Sequence, residues 1–235
     1  MSLHTLSLQA AIVDLDGTMV NTLGDFEVAL NRVLSDLGIA PASRALIERS
    51  VGKGSEHLIR TVIAHQTGRA GADTPAQAVP EDLIQQALAL YEDHYIAING
   101  QHSTVYPGVC EGLQRLADAG LQLACVTNKP MAFTLPLLEQ KGLVSYFSKV
   151  FGGDSFERKK PHPLPLQKTC EAMGVSPAQT LMVGDSSNDA QAASAAGCPV
   201  VLMTYGYNHG EPIRETPALA WLDSLADLAP LLHRG

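Results

Sequence analysis

The apolar positions divide the chain into three stretches of different rhythm. At the start, Ala10, Ala11, Ile12 and Val13 form an unbroken apolar run that ends in Asp14, Leu15, Asp16, Gly17 and Thr18. A short run bounded by polar turn residues predicts a buried strand that opens at its C-terminal end into a tight turn. Beyond it, Phe26, Ala29, Leu30, Val33, Leu34 and Leu37 recur at helical spacing, with Asn21 or Thr22 placed to cap the helix and Gly38 to close it. Further helical patterns cover 42–50, 55–66 and 81–98, and the Ala-, Gly-, Thr- and Pro-rich residues 67–79 read as a loop. From Tyr106 the rhythm alternates. Helices over 109–119, 132–141, 164–173 and 190–196 interleave with strands over 121–126, 149–151, 180–183 and 199–203, followed by a weak strand over 219–222 and a last helix.

Strands alternating with helices predict parallel βαβ units with helices on both sheet faces. The expected architecture is therefore α/β: a Rossmann-like parallel-sheet core from residues 1–20 and 102–235, with an all-helical cap domain, residues 21–101, inserted after the first strand. Linkers near 19–22 and 101–106 would act as hinges between the two. Ligand sites in such sheets lie outside the carboxyl ends of the strands, so Asp14, Thr127 and Asp185 should meet at one edge.

Composition narrows the class. At 235 residues, 46% hydrophobic and 17% charged, the chain reads as soluble and globular, and its net charge of −8 argues against a nucleic-acid partner. No apolar run approaches a membrane span, and residues 1–9 lack the charged start and apolar core of a signal peptide. Cys110, Cys125, Cys170 and Cys198 are scattered without metal-ligand spacing, which points to free, mostly buried thiols in a reducing cytoplasm.

The candidate chemistry sits at the strand ends. Period two puts Asp14 and Asp16 on one side of the extended chain. Two carboxylates held that close repel unless a cation or a shared proton relieves them, so the pair calls for a divalent metal, acid/base work, or both. A solvated turn is the bland alternative. A calcium hand fails because the glycine follows at the fourth position instead of the sixth and an apolar strand leads in. Asp185 and Asp189 also fall at or just past a strand end, and short carboxylates as oxygen ligands suit Mg²⁺ bridged to a phosphate. Asp189 fits a helix-capping acid as well as a support for the metal ligands. Thr127 and Asn128 lie between a strand and a helix, where hydroxyl and amides bind an anion or merely cap. Among Arg158, Lys159 and Lys160, before Pro161-His162-Pro163, Lys160 is the residue placed to reach in and neutralise phosphate and carboxylate charge.

Together the segment 14–18, the strand end at Thr127, the Lys160-Pro161 pair and the Gly184-Asp185-x-x-x-Asp189 acids resemble the haloacid dehalogenase superfamily of phosphohydrolases, in that superfamily's order and over nearly the whole chain. The resemblance implies that Asp14 attacks phosphorus to give a phospho-aspartyl intermediate, and that Asp16 protonates the leaving oxygen and then activates water. It implies Mg²⁺ on Asp14, the backbone carbonyl of Asp16 and Asp185, with Thr127 and Lys160 holding the phosphoryl group. Retention of Asp16 favours phosphatase over dehalogenase. Phosphoryl transfer is mostly positioning and charge neutralisation, which this donor set supplies.

Within the superfamily the chain is most similar to the bacterial phosphoglycolate phosphatases, on residues 126–130, 159–163, 183–186 and 204–208, with Asn21 in place of a frequent aspartate. This implies a small phosphorylated metabolite as partner and a monomer or weak homodimer. Gly52 and Lys53 mark the cap loop expected to face the site. Lys53 either offers charge to a substrate carboxylate or is a solvated lysine in a turn. Rival readings are a β-phosphoglucomutase-like isomerase, a broad phosphatase or pyrophosphatase, and a phosphate sensor without chemistry.

Overall fold

The computed structural model describes residues 6–69 and 79–228. Six strands form one parallel sheet in the order β5-β4-β1-β6-β7-β8: β1 (Ala10–Val13), β4 (Gln122–Val126), β5 (Lys149–Phe151), β6 (Thr180–Gly184), β7 (Val200–Met203) and β8 (Ala220–Leu222). Two further strands, β2 (Val20–Asn21) and β3 (Thr104–Val105), pair antiparallel outside that sheet. Strand β1 is central, and the chain builds the sheet outward from it on one side and then the other. Its register sets Val13 level with Cys125 and with Val183. Asp14, Thr127 and Asp185, each one or two residues further on, therefore converge on one edge, as expected for an open parallel sheet.

All four residues of β1 are fully buried, and their alternation explains why no polar face is visible in the sequence. Ala11 and Val13 pack with α5 (Val109–Asp118), β4 and α6 (Met131–Gln140) on one face. Ala10 and Ile12 pack on the other against Leu166 and Cys170 of α7 (Leu164–Met173) and Ala192 and Ala193 of α8 (Ser187–Ala196). A strand covered on both faces reads as a continuous apolar run.

Between β2 and β3 lie four helices, α1 (Leu23–Asp36), α2 (Arg44–Ser50), α3 (Ser55–Gln66) and α4 (Glu81–Ile98). They hold their own apolar cluster, built on Leu30, Ile47, Ile59, Ile63, Ile84 and Tyr91, to which the sheet layer adds Phe133 and Tyr207. Burying Leu-, Ile- or Phe-sized side chains contributes roughly 1.5–3 kcal/mol each, so this cluster is a substantial core of its own.

Several details differ from the expectations. The segment expected to hold no strand begins at Asn21, and Asn21 belongs to β2, whose pairing with β3 joins the two linkers into a ribbon. Two-residue strands are too short to show a period. Helix α8 starts at Ser187, not at 190, because its polar first turn is held by a capping box: Ser186 and Asp189 bond reciprocally to each other's backbone. Thr22 takes the cap position of α1 without a side-chain bond, while Asn21 Oδ1 accepts from Leu23 N at 3.4 Å. Gly38 does follow α1 with φ of 66°. Of the cysteines, Cys110 is exposed and the other three are buried, all free. The expected loop over 67–79 lies mostly outside the described residues. The expected last helix does so from 229, after a 3₁₀ turn at Leu225–Asp227. No helix among the described residues is long and apolar enough to cross a membrane.

Candidate active site

The site grows from the end of β1. Asp14 N donates to Val183 O at 2.9 Å, extending the sheet ladder one residue beyond the strand and fixing where the Asp14 carboxylate starts. Leu15 points into the core with no exposure, so Asp14 and Asp16 share the opposite side and both face one cavity. The turn is closed by Gly17 N to Val20 O at 2.9 Å, with Gly17 at φ 85°.

Lys160 reaches under Asp14 from the loop between β5 and α7. Its Nζ lies 2.9 Å from Asp14 Oδ1 and donates to Asp189 Oδ1 at 2.7 Å and Val126 O at 2.8 Å. Burial acts to lower the Lys160 ammonium, but Asp14 and Asp189 beside it outweigh that and raise its pKa. A buried amine with two carboxylate partners stays charged. Asp189 takes the capping position and also holds Lys160. It caps α8, its Oδ2 accepting from Asp185 N, Ser186 N and Ser186 Oγ at 3.2, 3.1 and 2.8 Å, while its other oxygen holds Lys160.

Asp185 sits beside Asp14. Its Oδ1 accepts from Thr18 Oγ1 and its Oδ2 from Tyr207 N, each at 2.6 Å. Glycine is required around it: a Cβ on either Gly17 or Gly206 would stand 2.2 Å from Asp185 Oδ2. Burial first, then Asp189 and Asp14, push the Asp185 carboxyl well above the ordinary range. Burial likewise raises Asp14 to about 7 against the opposing pull of Lys160. Asp14, Asp185 and Asp189 each present an oxygen within 4.8 Å of the others, and the buried Asp14 Oδ1 has the Lys160 ammonium at 2.9 Å. Three carboxylates crowded around one lysine carry more negative charge than it neutralises and fit a divalent cation bound by oxygen ligands. Asp189 is committed to Lys160 and to its capping bonds, so Asp14 and Asp185 are the acids with capacity for a metal.

Thr127 stands where β4 ends. Its Oγ1 accepts from Lys129 N at 3.2 Å, which leaves the hydroxyl hydrogen for an anion in the cavity. Asn128 faces the same cavity but its amide is already occupied: Nδ2 donates to Gly52 O at 2.9 Å and to Lys160 O at 2.8 Å, while Oδ1 is buried without a partner. Asn128 thus ties the helical layer to the sheet layer. Gly52 lines the cavity through a carbonyl that also accepts from Asn188 Nδ2 at 3.1 Å. Lys53, the next residue, is exposed and lines an outer basin with Lys159 and His162.

Reading the sequence missed four participants. Lys129, buried, places Nζ 3.1 and 3.4 Å from the two Asp16 oxygens and donates to Tyr95 OH at 2.6 Å. Tyr95 comes from α4, where its spacing marks it only as core. Tyr207 OH donates to Asn21 Oδ1 at 2.6 Å and accepts from Leu23 N at 3.2 Å, tying the loop after β7 to the start of α1. His209, at φ 55°, sets Nε2 3.2 Å from Asn188 Nδ2 and bonds the Arg49 backbone. The Thr-Asn-Lys order was a signal for Lys129, since the residue after an anion-binding turn shares its cavity. Tyr207 lies in the 204–208 block that carries the family resemblance, and His209 left no signal.

A sequence profile of haloacid dehalogenase-like hydrolases matches residues 11–203. The chain is 42% identical over 234 residues to a phosphoglycolate phosphatase of Thiobacillus denitrificans, with 100% of both chains covered. To the phosphoglycolate phosphatase of Nitrosospira multiformis it is 41% identical over 229 residues, 97% of each. The crystal structure of a protein described as a predicted phosphoglycolate phosphatase from Haemophilus somnus superposes with a TM-score of 0.89 at 34% identity, covering 97% of this chain and 99% of that one. The sheet order, the acids at its carboxyl edge and these relatives agree, and the chain belongs to the haloacid dehalogenase-like hydrolases.

Proposed function

We propose that the protein hydrolyses a small phosphomonoester, 2-phosphoglycolate, to glycolate and phosphate, with Asp14 as nucleophile. The observation that carries this reading is the Asp14 carboxylate, held by the buried Lys160 ammonium at 2.9 Å and lining a cavity that Asp16 also lines. In the first step Asp14 attacks phosphorus, a bond forms to its oxygen, and the bond from phosphorus to the glycolate oxygen breaks as Asp16 supplies the proton. In the second, Asp16 takes a proton from water, which attacks phosphorus and releases phosphate and the Asp14 carboxylate. Lys160 and the Thr127 hydroxyl bind phosphoryl oxygens, and Lys160 also orients Asp14. Asp14, the backbone carbonyl of Asp16 and Asp185 are the groups that would hold magnesium, which when bound would supply charge neutralisation. The helical layer, residues 21–101, acts as a cap whose Gly52 carbonyl is fastened by Asn128 and Asn188 over the cavity, excluding bulk water. The substrate assignment is supported by relatives of that name at about 40% identity along their whole length. A cytoplasmic enzyme acting as a monomer or weak homodimer fits the same reading.

Phosphate release from 2-phosphoglycolate, β-glucose 1-phosphate, pyrophosphate and a nucleoside monophosphate, with Mg²⁺ and with chelator, tests it. Mg²⁺-dependent turnover that strongly favours 2-phosphoglycolate is expected. A flat profile would overturn the substrate, and silence across the panel would overturn the hydrolase.

A further inference from the structure

We infer that Lys129 is the residue that reads the carboxylate of the leaving group, and so determines specificity; this rests on the phosphoglycolate reading above. A small cavity lies between the helical and sheet layers. Asp14, Asp16 and Thr127 line it on the sheet side, with Phe26 and Phe133 as apolar walls, and Lys129 is the one cation among its described lining residues. The Lys129 side chain is 2% exposed. Lys53, by contrast, is exposed and lies on the outer basin.

Proximity follows from the proposed chemistry. Asp16 must touch the oxygen that leaves phosphorus, and Lys129 Nζ is 3.1 Å from Asp16 Oδ1. In 2-phosphoglycolate the carboxylate is separated from that oxygen by a single methylene. A group bonded to Asp16 is therefore within reach of the carboxylate. An ammonium carries three donors. The Asp16 carboxylate takes one direction and Tyr95 OH, at 2.6 Å, another, so one donor remains for a ligand. The rings of Phe26 and Tyr95, with centroids 4.7 and 4.5 Å from Nζ, hold the charge without satisfying it as an anion would. When Asp16 turns to the reacting oxygen, Lys129 loses its counter-charge in a dry cavity, and a substrate carboxylate restores it. Both rings come from the helical layer, so the receptor is complete only when that layer sits over the site.

A lysine that merely orients Asp16 would affect every substrate alike, and this separates the two roles. We would measure kcat/KM for 2-phosphoglycolate and for ethyl phosphate, which has the same leaving skeleton without the carboxylate, in wild type, Lys129→Met and Lys53→Met. Removing a buried cation from a carboxylate ligand should cost 2-phosphoglycolate about 100-fold more than ethyl phosphate in Lys129→Met. Lys53→Met should leave the ratio unchanged. Equal losses on the two substrates in Lys129→Met would overturn the assignment, as would a ratio that collapses in Lys53→Met instead. Lys129→Gln, which keeps donors toward Asp16 and Tyr95 but no charge, must show the same split and serves if the methionine variant does not fold. A wild type with no preference between the substrates would overturn the phosphoglycolate reading itself. A wild-type preference with equal losses in the variants overturns only the role of Lys129.

Discussion

Under the proposed mechanism Asp14 must be buried to exclude water and charged to attack, and these demands oppose each other. Burial raises its carboxyl to about 7, and Lys160 beside it limits the rise. Asp14→Asn would remove the proposed nucleophile but hardly change volume. Phosphate release should fall to background while circular dichroism and melting stay near wild type, and retained turnover would unseat Asp14. Lys160→Met acts differently because it leaves Asp14 and Asp189 facing each other without a cation. Breaking a buried pair in this way costs about 3–5 kcal/mol, so thermal unfolding should shift down by roughly 6–20 °C along with loss of activity. Gly17→Ala combines a positive φ with a Cβ 2.2 Å from Asp185, and it should lower both stability and turnover. That glycine was visible in the sequence as part of a turn. Its closeness to Asp185 was not, because the two residues meet only through the pairing of β1 with β6.

At the scale of elements, the loop after β7 contributes more than its irregular sequence suggests. Burial, then Lys53 and His57, lowers the pKa of His209 from the ordinary 6.5, while the Arg49 backbone and Asp189 pull more weakly the other way. A folded-state value below the unfolded one means that the unfolded chain takes up the proton first as pH falls. The stability tied to neutral His209 is present in full above 6.5 and is lost as pH drops through the lowered value. His209→Gln removes that titration. Melting temperatures should therefore fall more steeply between about pH 7 and pH 5 in wild type than in the variant, and parallel declines would assign the acid limb elsewhere. The unbroken apolar runs of β1 and β4 and the helical periods of α3 and α4 were legible as sequence because burial imposes them. The β2–β3 ribbon and the polar first turn of α8 were not, being held by pairing and by side-chain caps that leave no apolar rhythm.

At the scale of the molecule, one carbonyl joins the layers. Gly52 O accepts from Asn128, on the β4 turn, and from Asn188, in α8. Two amides that share an acceptor cannot contribute independently. Asn128→Ala and Asn188→Ala should each reduce kcat/KM, and the double variant should lose less than the product of the two single losses. The coupling expected for groups in one network is about 0.5–3 kcal/mol. Strict additivity would mean that closure does not run through Gly52. The expectation that the 52–53 loop faces the site fits Gly52, which lines the cavity, and not Lys53, which lies outside it.

The sequence by itself determined the alternating α/β order, the helical block after the first strand and the acids at the strand ends. These follow from periodicity and from carboxylates set where apolar runs stop, information that is local in the chain. It could not decide which lysine meets which acid. Lys53 and Lys160 were the candidates and Lys129 was missed; the pairing of β1 with β4 puts Lys129 against Asp16, and the packing of α4 over the sheet edge adds Tyr95 while Lys53 stays outside. Side-chain reach across layers depends on how two separately cored units dock, and no period in either one encodes that docking.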